Sequence, residues 1–132
     1  QLGTHAGLLK QLADGLMALK AAMVELGRWD QTLVVTYTEF GRRPRENGSN
    51  GTDHGAAAVM MALGGGVSGG LYGTAPNLNP FSGNPTLENS GGDVTYETDF
   101  RSVYARVIDN WLGANSVTLL NGNYRKASLT FI

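Results

Sequence analysis

The chain contains no cysteine, which excludes disulfide frameworks, thiolate metal sites and cysteine nucleophiles. Charge is scarce as well. Asp, Glu, Lys and Arg make up 16% of the chain, ten basic against eleven acidic residues, for a net charge of −1. That balance argues against a polycationic nucleic-acid binder, whose phosphate contacts need clustered positive charge, so no nucleic-acid partner is expected. The low charge density argues equally against a charged disordered tail. No run approaches the roughly 18 to 20 consecutive apolar residues of a membrane helix, so no membrane span is expected. The start, QLGTHAGLLKQ, lacks the basic opening, apolar run and small-residue cleavage site of a secretory signal. It also lacks an initiator Met and reads as a piece cut from something longer, or a processed chain.

Glycine, by contrast, is abundant, with 19 residues in 132. The length suits one domain and the glycine content a loop-rich globular one. Apolar residues at Leu8, Leu9, Leu12, Leu16, Leu19, Met23 and Leu26 recur every three or four positions. They predict an amphipathic helix over about 4–26, with Thr4 as N-cap and Gly27 as the stop. Residues 32–38 (TLVVTYT) are rich in β-branched and aromatic side chains. Such a run reads as a strand covered on both faces, the parallel-sheet type, and points to an α/β layer architecture. Residues 39–54 (EFGRRPRENGSNGTDH) show no periodicity and read as a long irregular loop at a strand end, where open α/β sheets bind ligands. Residues 56–63 read as a helical turn passing into a buried strand, and 64–73 as close backbone approaches or a hairpin. Residues 74–92 form an expected surface loop, 93–97 a short strand and 127–132 a possible final strand. Thr98 is the expected N-cap of a second helix, with an apolar stripe from Phe100 to Leu112 and a stop at Gly113.

The chemistry concentrates in 39–54. Asp53 and His54, followed by Gly55, bring carboxylate and imidazole donors suited to a hard or borderline divalent cation, and Glu39 at the strand end is placed to close the same site. Arg42 or Arg43 suits a phosphate or sulfate group, because a guanidinium fork matches two oxyanion oxygens. The same residues admit a plainer account: a capping Asp in a turn, Glu39 as a cap or salt-bridge partner, and arginines paired with Glu46 and Asp53 on a solvated face. His5, beside the apolar stripe of the first helix, is given no role. GGGVSGG lacks the Lys-Ser/Thr ending of a phosphate-binding P-loop.

The run TLVVTYTEFGRRPRENGSNGTDHGAAAVMMALGGGVSGGLYG, with HAGLLKQLADGL before it and DFRSVYARVIDNWLG after it, resembles the C-terminal part of the bacterial domain-of-unknown-function family numbered 1501. That family is grouped with the alkaline phosphatase and sulfatase superfamily. The resemblance implies an α/β fragment of an alkaline-phosphatase-like α/β/α sandwich with a mainly parallel or mixed sheet, residues 1–132 being the C-terminal portion of a larger domain. It implies one or two divalent metals (Zn, Mn, Mg or Ca) at the strand ends, beside a Ser, Thr or formylglycine nucleophile lying upstream of this chain. By the resemblance Glu39 takes the strand-end acidic position, and Asp53 with His54 takes the later His-containing motif. Glu39, Asp53 and His54 are thus the metal candidates, Glu39 and His54 the catalytic ones, and Arg42 and Arg43 the substrate contacts. Phe40 stands where many relatives have His. The implied function is a metal-dependent hydrolase of small phosphate or sulfate esters, inactive in this fragment alone, with a periplasmic or secreted parent. The rival is a non-catalytic binding or structural protein on the same scaffold. A sheet edge left open, or the first helix, is expected to pair with a second copy as a homodimer.

Overall fold

The computed structural model describes residues 2–78 and 92–132. The first helix, α1, spans Leu2–Glu25, so Thr4 lies inside it rather than capping it. Its end is where the sequence places it. Gly27, at φ +64, donates to the Val24 carbonyl (3.0 Å), and Arg28 N–H reaches back to the Met23 carbonyl (2.7 Å). This pair of bonds closes the last turn, and the left-handed backbone it needs is open to glycine without strain. A 3-10 turn, Trp29–Gln31, follows, and the Lys20 ammonium lies 5.6 Å from the centre of the Trp29 ring.

Four strands come next: β1 Leu33–Val35, β2 Gly41–Glu46, β3 Thr52–Gly55 and β4 Ala62–Gly64. They form two separate two-stranded antiparallel sheets, β1 with β4 and β2 with β3. The chain is therefore of mixed α/β class, but the described residues form no parallel pairing, contrary to the expectation from β1. The β-branched run does make a strand, as its composition demands. The direction of its neighbour depends on how the chain returns, which no local pattern encodes. Here it returns through β2, β3 and an irregular segment, and the Thr36 N–H to Met61 carbonyl bond (2.9 Å) extends the β1–β4 pairing by one rung. Residues 56–61 form no helical turn. Close backbone approach does occur at the glycines after β4: a Cβ on Gly65 would sit 2.3 Å from Asp30 Oδ1, and one on Gly66 3.1 Å from the Trp111 ring. Residues 79–91 of the expected surface loop lie outside the described residues.

The second helix, α2, spans Phe100–Arg106. Asp99, not Thr98, is its cap, accepting from the Arg101 N–H at 2.8 Å. The helix runs on through a π-helical segment, Val107–Trp111, and ends at Gly113 with φ +65. A single further turn, α3 (Ser116–Leu119), is capped by the Asn115 side chain. No final strand forms at 127–132, yet Leu129 and Phe131 are buried there with Val94 and Ala105. Phe131 meets the edge of Tyr72 at 6.1 Å, and its carbonyl accepts from the Ser68 N–H. The core thus sits against α2, between the tail and the segment after β4.

That core is small, and the surface is correspondingly large. The chain exposes 9281 Å², where a compact monomer of 14.0 kDa exposes about 6700 Å². Many large apolar side chains are exposed. Along α1, Leu8, Leu9, Leu12, Met17 and Val24 are all exposed, Met17 by 65%. An apolar groove of about 280 Å³ between β1 and α2 is lined by Val35, Tyr37, Tyr104, Val107 and Ile108. No helix among the described residues is long and apolar enough to cross a membrane.

Candidate functional site

Most of residues 39–54, expected as an irregular loop, lies in a hairpin running from Gly41 to Gly55. β2 and β3 pair with Gly41 opposite Gly55, Arg42 opposite His54, and Glu46 opposite Thr52. Between the last two pairs β2 carries Arg43, Pro44 and Arg45, whereas β3 carries only Asp53. The surplus bulges outward, and Pro44, having no N–H to give a ladder, is placed where none is needed.

The turn is organised by Asn47. Its side-chain Oδ1 accepts from Ser49 N–H and Gly51 N–H, both at 3.0 Å, and its Nδ2 donates to Asp53 Oδ1 at 3.0 Å. Asn47 N–H closes onto the Gly51 carbonyl at 2.7 Å, and Asn50 adopts φ +55, a conformation asparagine tolerates better than most residues. The Gly, Asn and Ser content that looked structure-breaking is the content a tight turn requires.

The close fit at the other end depends on glycine. A Cβ on Gly41 would lie 1.5 Å from the Ala57 carbonyl oxygen, and one on Gly55 2.9 Å from the Arg42 backbone. This packing brings Phe40, Arg42 and His54 together. The His54 ring stacks on Phe40 with centroids 3.5 Å apart and planes 14° from parallel, and the Arg42 guanidinium carbon is 5.5 Å from the Phe40 ring centre. Phe40 therefore serves as a platform for His54. Arg42 is exposed, donates through Nη1 to the Thr52 carbonyl at 2.6 Å, and has no carboxylate partner among the described residues.

Arg43 is placed differently. Its Nε and Nη2 grip Asp93 Oδ1 and Oδ2 at 3.1 and 3.0 Å, a two-bond pair in which Asp93 is largely covered. That pair ties the hairpin to the strand-like segment ahead of α2, across fifty residues of sequence. Asp53 is exposed and held by Asn47. Glu39 is exposed at the end of the segment after β1. Adjacent side chains on a strand leave on opposite faces, so Asp53 and His54 diverge. No group of three or more His, Asp or Glu among the described residues is arranged to hold a metal ion.

A second polar assembly, which the sequence did not single out, lies beside α2. Asp109, in the π-helical segment, accepts from Arg125 Nε and Nη2 (2.7 and 3.1 Å) and from Ser116 N–H and Oγ (2.9 and 2.8 Å). The Arg125 bonds, followed by the Ser116 backbone bond, hold the Asp109 carboxyl far below the ordinary carboxylate range against the opposing effect of burial. Asp99 takes two bonds from Arg101 (2.9 and 2.6 Å), which lower its pKa. Arg101 also donates to the Tyr124 hydroxyl and lies over the Tyr124 ring, 4.1 Å from its centre. Lys126 bonds Thr98 Oγ1 at 2.7 Å and the Glu97 carbonyl. The Glu97 carboxyl is lowered chiefly by the Thr74 N–H that donates to it at 2.6 Å. The available signal was the adjacent Arg125 and Lys126 with three acids at positions 97, 99 and 109, a charge pattern without a diagnostic spacing.

A family model described as "Protein of unknown function (DUF1501)" matches residues 1–89, a span that includes α1 and the whole hairpin. No curated protein and no solved structure matches the chain.

Proposed function

The chain belongs to the DUF1501 family, and from that premise we propose that it forms part of a hydrolase-like protein acting on phosphate or sulfate esters, with the β2–β3 hairpin turned toward the ester. In this reading it is the C-terminal portion of an alkaline-phosphatase-like sandwich, periplasmic or secreted as a whole. The apolar flank of α1 and the surplus of exposed area support that part of it, since both are what a larger domain would cover.

The observation that carries the ester assignment is Arg42. An exposed guanidinium with no acidic partner among the described residues, beside the His54 imidazole and the Phe40 ring, offers donors to an oxyanion and a flat surface to the group it esterifies. Arg43, held by Asp93, positions the strand instead of contacting the ester.

The residues do not by themselves fit a divalent metal centre. Tetrahedral sites use four ligands and calcium sites six or more, while Asp53 and His54 diverge and the described residues gather no three His, Asp or Glu side chains around a metal position. Should Zn, Mn, Mg or Ca serve the parent protein, this region's share would be one donor, from His54 in the hairpin or from Glu39 just before it. That divergence favours a second reading, in which the same scaffold binds an ester without cleaving it.

Adding phenyl phosphate to the purified chain is expected to shift the His54 ring-proton signals in a saturable way, and Arg42→Gln is expected to abolish the effect. Equal shifts in both proteins overturn the assignment. In the full-length parent, His54→Ala removes turnover if the hairpin serves catalysis and leaves the thermal midpoint within a degree or two. A variant that loses stability and nothing else supports the binding scaffold.

A further inference from the structure

The turn between β2 and β3 holds two Asn-Gly steps, Asn47–Gly48 and Asn50–Gly51, and a third, Asn121–Gly122, follows α3. In such a step the glycine nitrogen can attack the preceding side-chain amide, because glycine lets its backbone come close without obstruction. Whether a fold permits the attack depends on what holds the nitrogen and what surrounds the amide.

The three steps differ in both respects. Gly51 N–H donates to Asn47 Oδ1 at 3.0 Å, and Gly122 N–H donates to the Val117 carbonyl at 3.1 Å. Both nitrogens are therefore engaged while the fold holds. Gly48 N–H has no acceptor among the described residues, and a Cβ at Gly48 would meet nothing within 4 Å, so the space around it is open.

The amide next to Gly48 is also the one the fold activates. Attack at Asn47 Cγ puts negative charge on Oδ1, which already accepts from Ser49 N–H and Gly51 N–H, both at 3.0 Å. Two preset backbone donors at that distance are the arrangement that stabilises a developing oxyanion. The leaving nitrogen, Nδ2, donates to Asp53 Oδ1 at 3.0 Å, so a carboxylate lies within proton-transfer reach of the atom that must depart. Neither Asn50 nor Asn121 has such side-chain partners among the described residues.

We propose that Asn47 is a self-modification site, at which the hairpin converts its own amide to an acid. The bond from Gly48 N to Asn47 Cγ forms and the Gly48 proton passes to water. Asp53 takes a proton from solvent and hands it to Nδ2, the Cγ–Nδ2 bond breaks, and ammonia leaves. Water then opens the succinimide ring, placing its hydroxyl on one ring carbonyl and its hydrogen on the ring nitrogen, so position 47 becomes aspartate or isoaspartate. The product sets a second carboxylate beside Asp53 in place of a hydrogen-bond donor, and the turn loosens once without a route back. The inference needs no ligand at the hairpin and does not rest on the ester reading.

The test is incubation of the whole chain at neutral pH, with amide-to-acid conversion at each Asn-Gly step followed by peptide mapping and mass spectrometry. In the folded chain Asn47 is expected to convert at least tenfold faster than Asn50 or Asn121. In urea the three rates should fall within threefold of one another, because only the fold distinguishes them. Asp53→Asn keeps an acceptor for Nδ2 but cannot relay a proton, and should slow Asn47 at least tenfold while leaving Asn121 unchanged. Gly48→Ala, whose Cβ enters open space, should slow Asn47 by a similar factor. A folded-state rate at Asn47 no greater than that at Asn121, or an unchanged rate in Asp53→Asn, overturns the proposal. If Asp53→Asn does not fold, Gly48→Ala and the comparison of folded with unfolded wild type decide in its place: a preference for Asn47 that persists in urea refutes the site.

Discussion

Replacing Gly41 with Ala tests whether the hairpin is held by backbone contact or merely by its ladder. A Cβ at this position lies 1.5 Å from the Ala57 carbonyl oxygen and 2.2 Å from its carbon. Ordinary contact begins near 3.4 Å, so the Ala57 peptide must retreat by about 1.9 Å, the difference between the two distances. The obstacle is backbone, not the end of a flexible side chain, so it cannot rotate away. Overpacking costs about 1–3 kcal/mol where neighbours can adjust, and the upper end applies here, because the Gly41–Gly55 pairing and the Phe40–His54 stack move with it. With a urea dependence of about 1–3 kcal/mol per molar, a loss of about 3 kcal/mol lowers the unfolding midpoint by at least about 1 M. The control is Gly48→Ala in the same hairpin. A Cβ there meets nothing within 4 Å, and a change within about 0.5 kcal/mol is expected. Urea unfolding of the three proteins, with the His54 ring signals followed in parallel, measures both effects. If Gly41→Ala unfolds within 0.2 M of Gly48→Ala, as two ordinary surface changes would, the reasoning fails.

Acid should destabilise the chain below about pH 4.5. Asp99, Asp109 and Glu97 have pKa values lowered from 3.8, 3.8 and 4.5 in the fold, so the unfolded chain takes up protons first and stability is lost as pH falls. Urea midpoints measured from pH 6 to pH 3 should drop, and Asp109→Asn should flatten the dependence; a parallel slope in that variant contradicts the assignment. A double-mutant cycle on Arg43→Met and Asp93→Asn should yield a coupling of about 1 kcal/mol, reflecting a two-bond pair that is still partly solvated, and a coupling indistinguishable from zero would remove the tether between hairpin and α2. The apolar flank of α1 should drive self-association. Light scattering is expected to show a concentration-dependent mass that falls to the monomer value in Leu8→Glu/Leu12→Glu, and a monodisperse wild-type monomer would refute this.

The elements set by local chemistry were legible. The spacing of the leucines marked α1, Gly27 marked its end, and the Phe100–Leu112 stripe marked α2 and its continuation. The hairpin was not legible, because its turn residues outweigh its short strands in any local reading, and its alternation is broken by a three-residue bulge around Pro44. The strand at Leu33 was legible, but not the antiparallel return of Ala62, which depends on residues almost thirty positions away. For the candidate site, the sequence drew attention to residues 39–54 and implied that Asp53 and His54 act together. Adjacency in sequence became divergence once they lay on a strand. The assembly around Asp109 stayed hidden because its partners at 116 and 125 become neighbours only after α3 folds the chain back.

The way α1 ends has a mechanical consequence. At 1.5 Å per residue its twenty-four residues make a rod about 36 Å long. Among the described residues its capping bonds, from Gly27 and Arg28 to Val24 and Met23, and its Lys20–Trp29 contact lie in its final third or just past its end. Such a rod is a cantilever. A rotation of 10° about the Gly27 joint swings its free tip through about 6 Å, by simple geometry from that length. Whatever seats itself on the leucines of that rod pulls on the 3-10 turn, whose Trp29 carbonyl accepts from Gly65 N–H at 3.1 Å beside the end of β4.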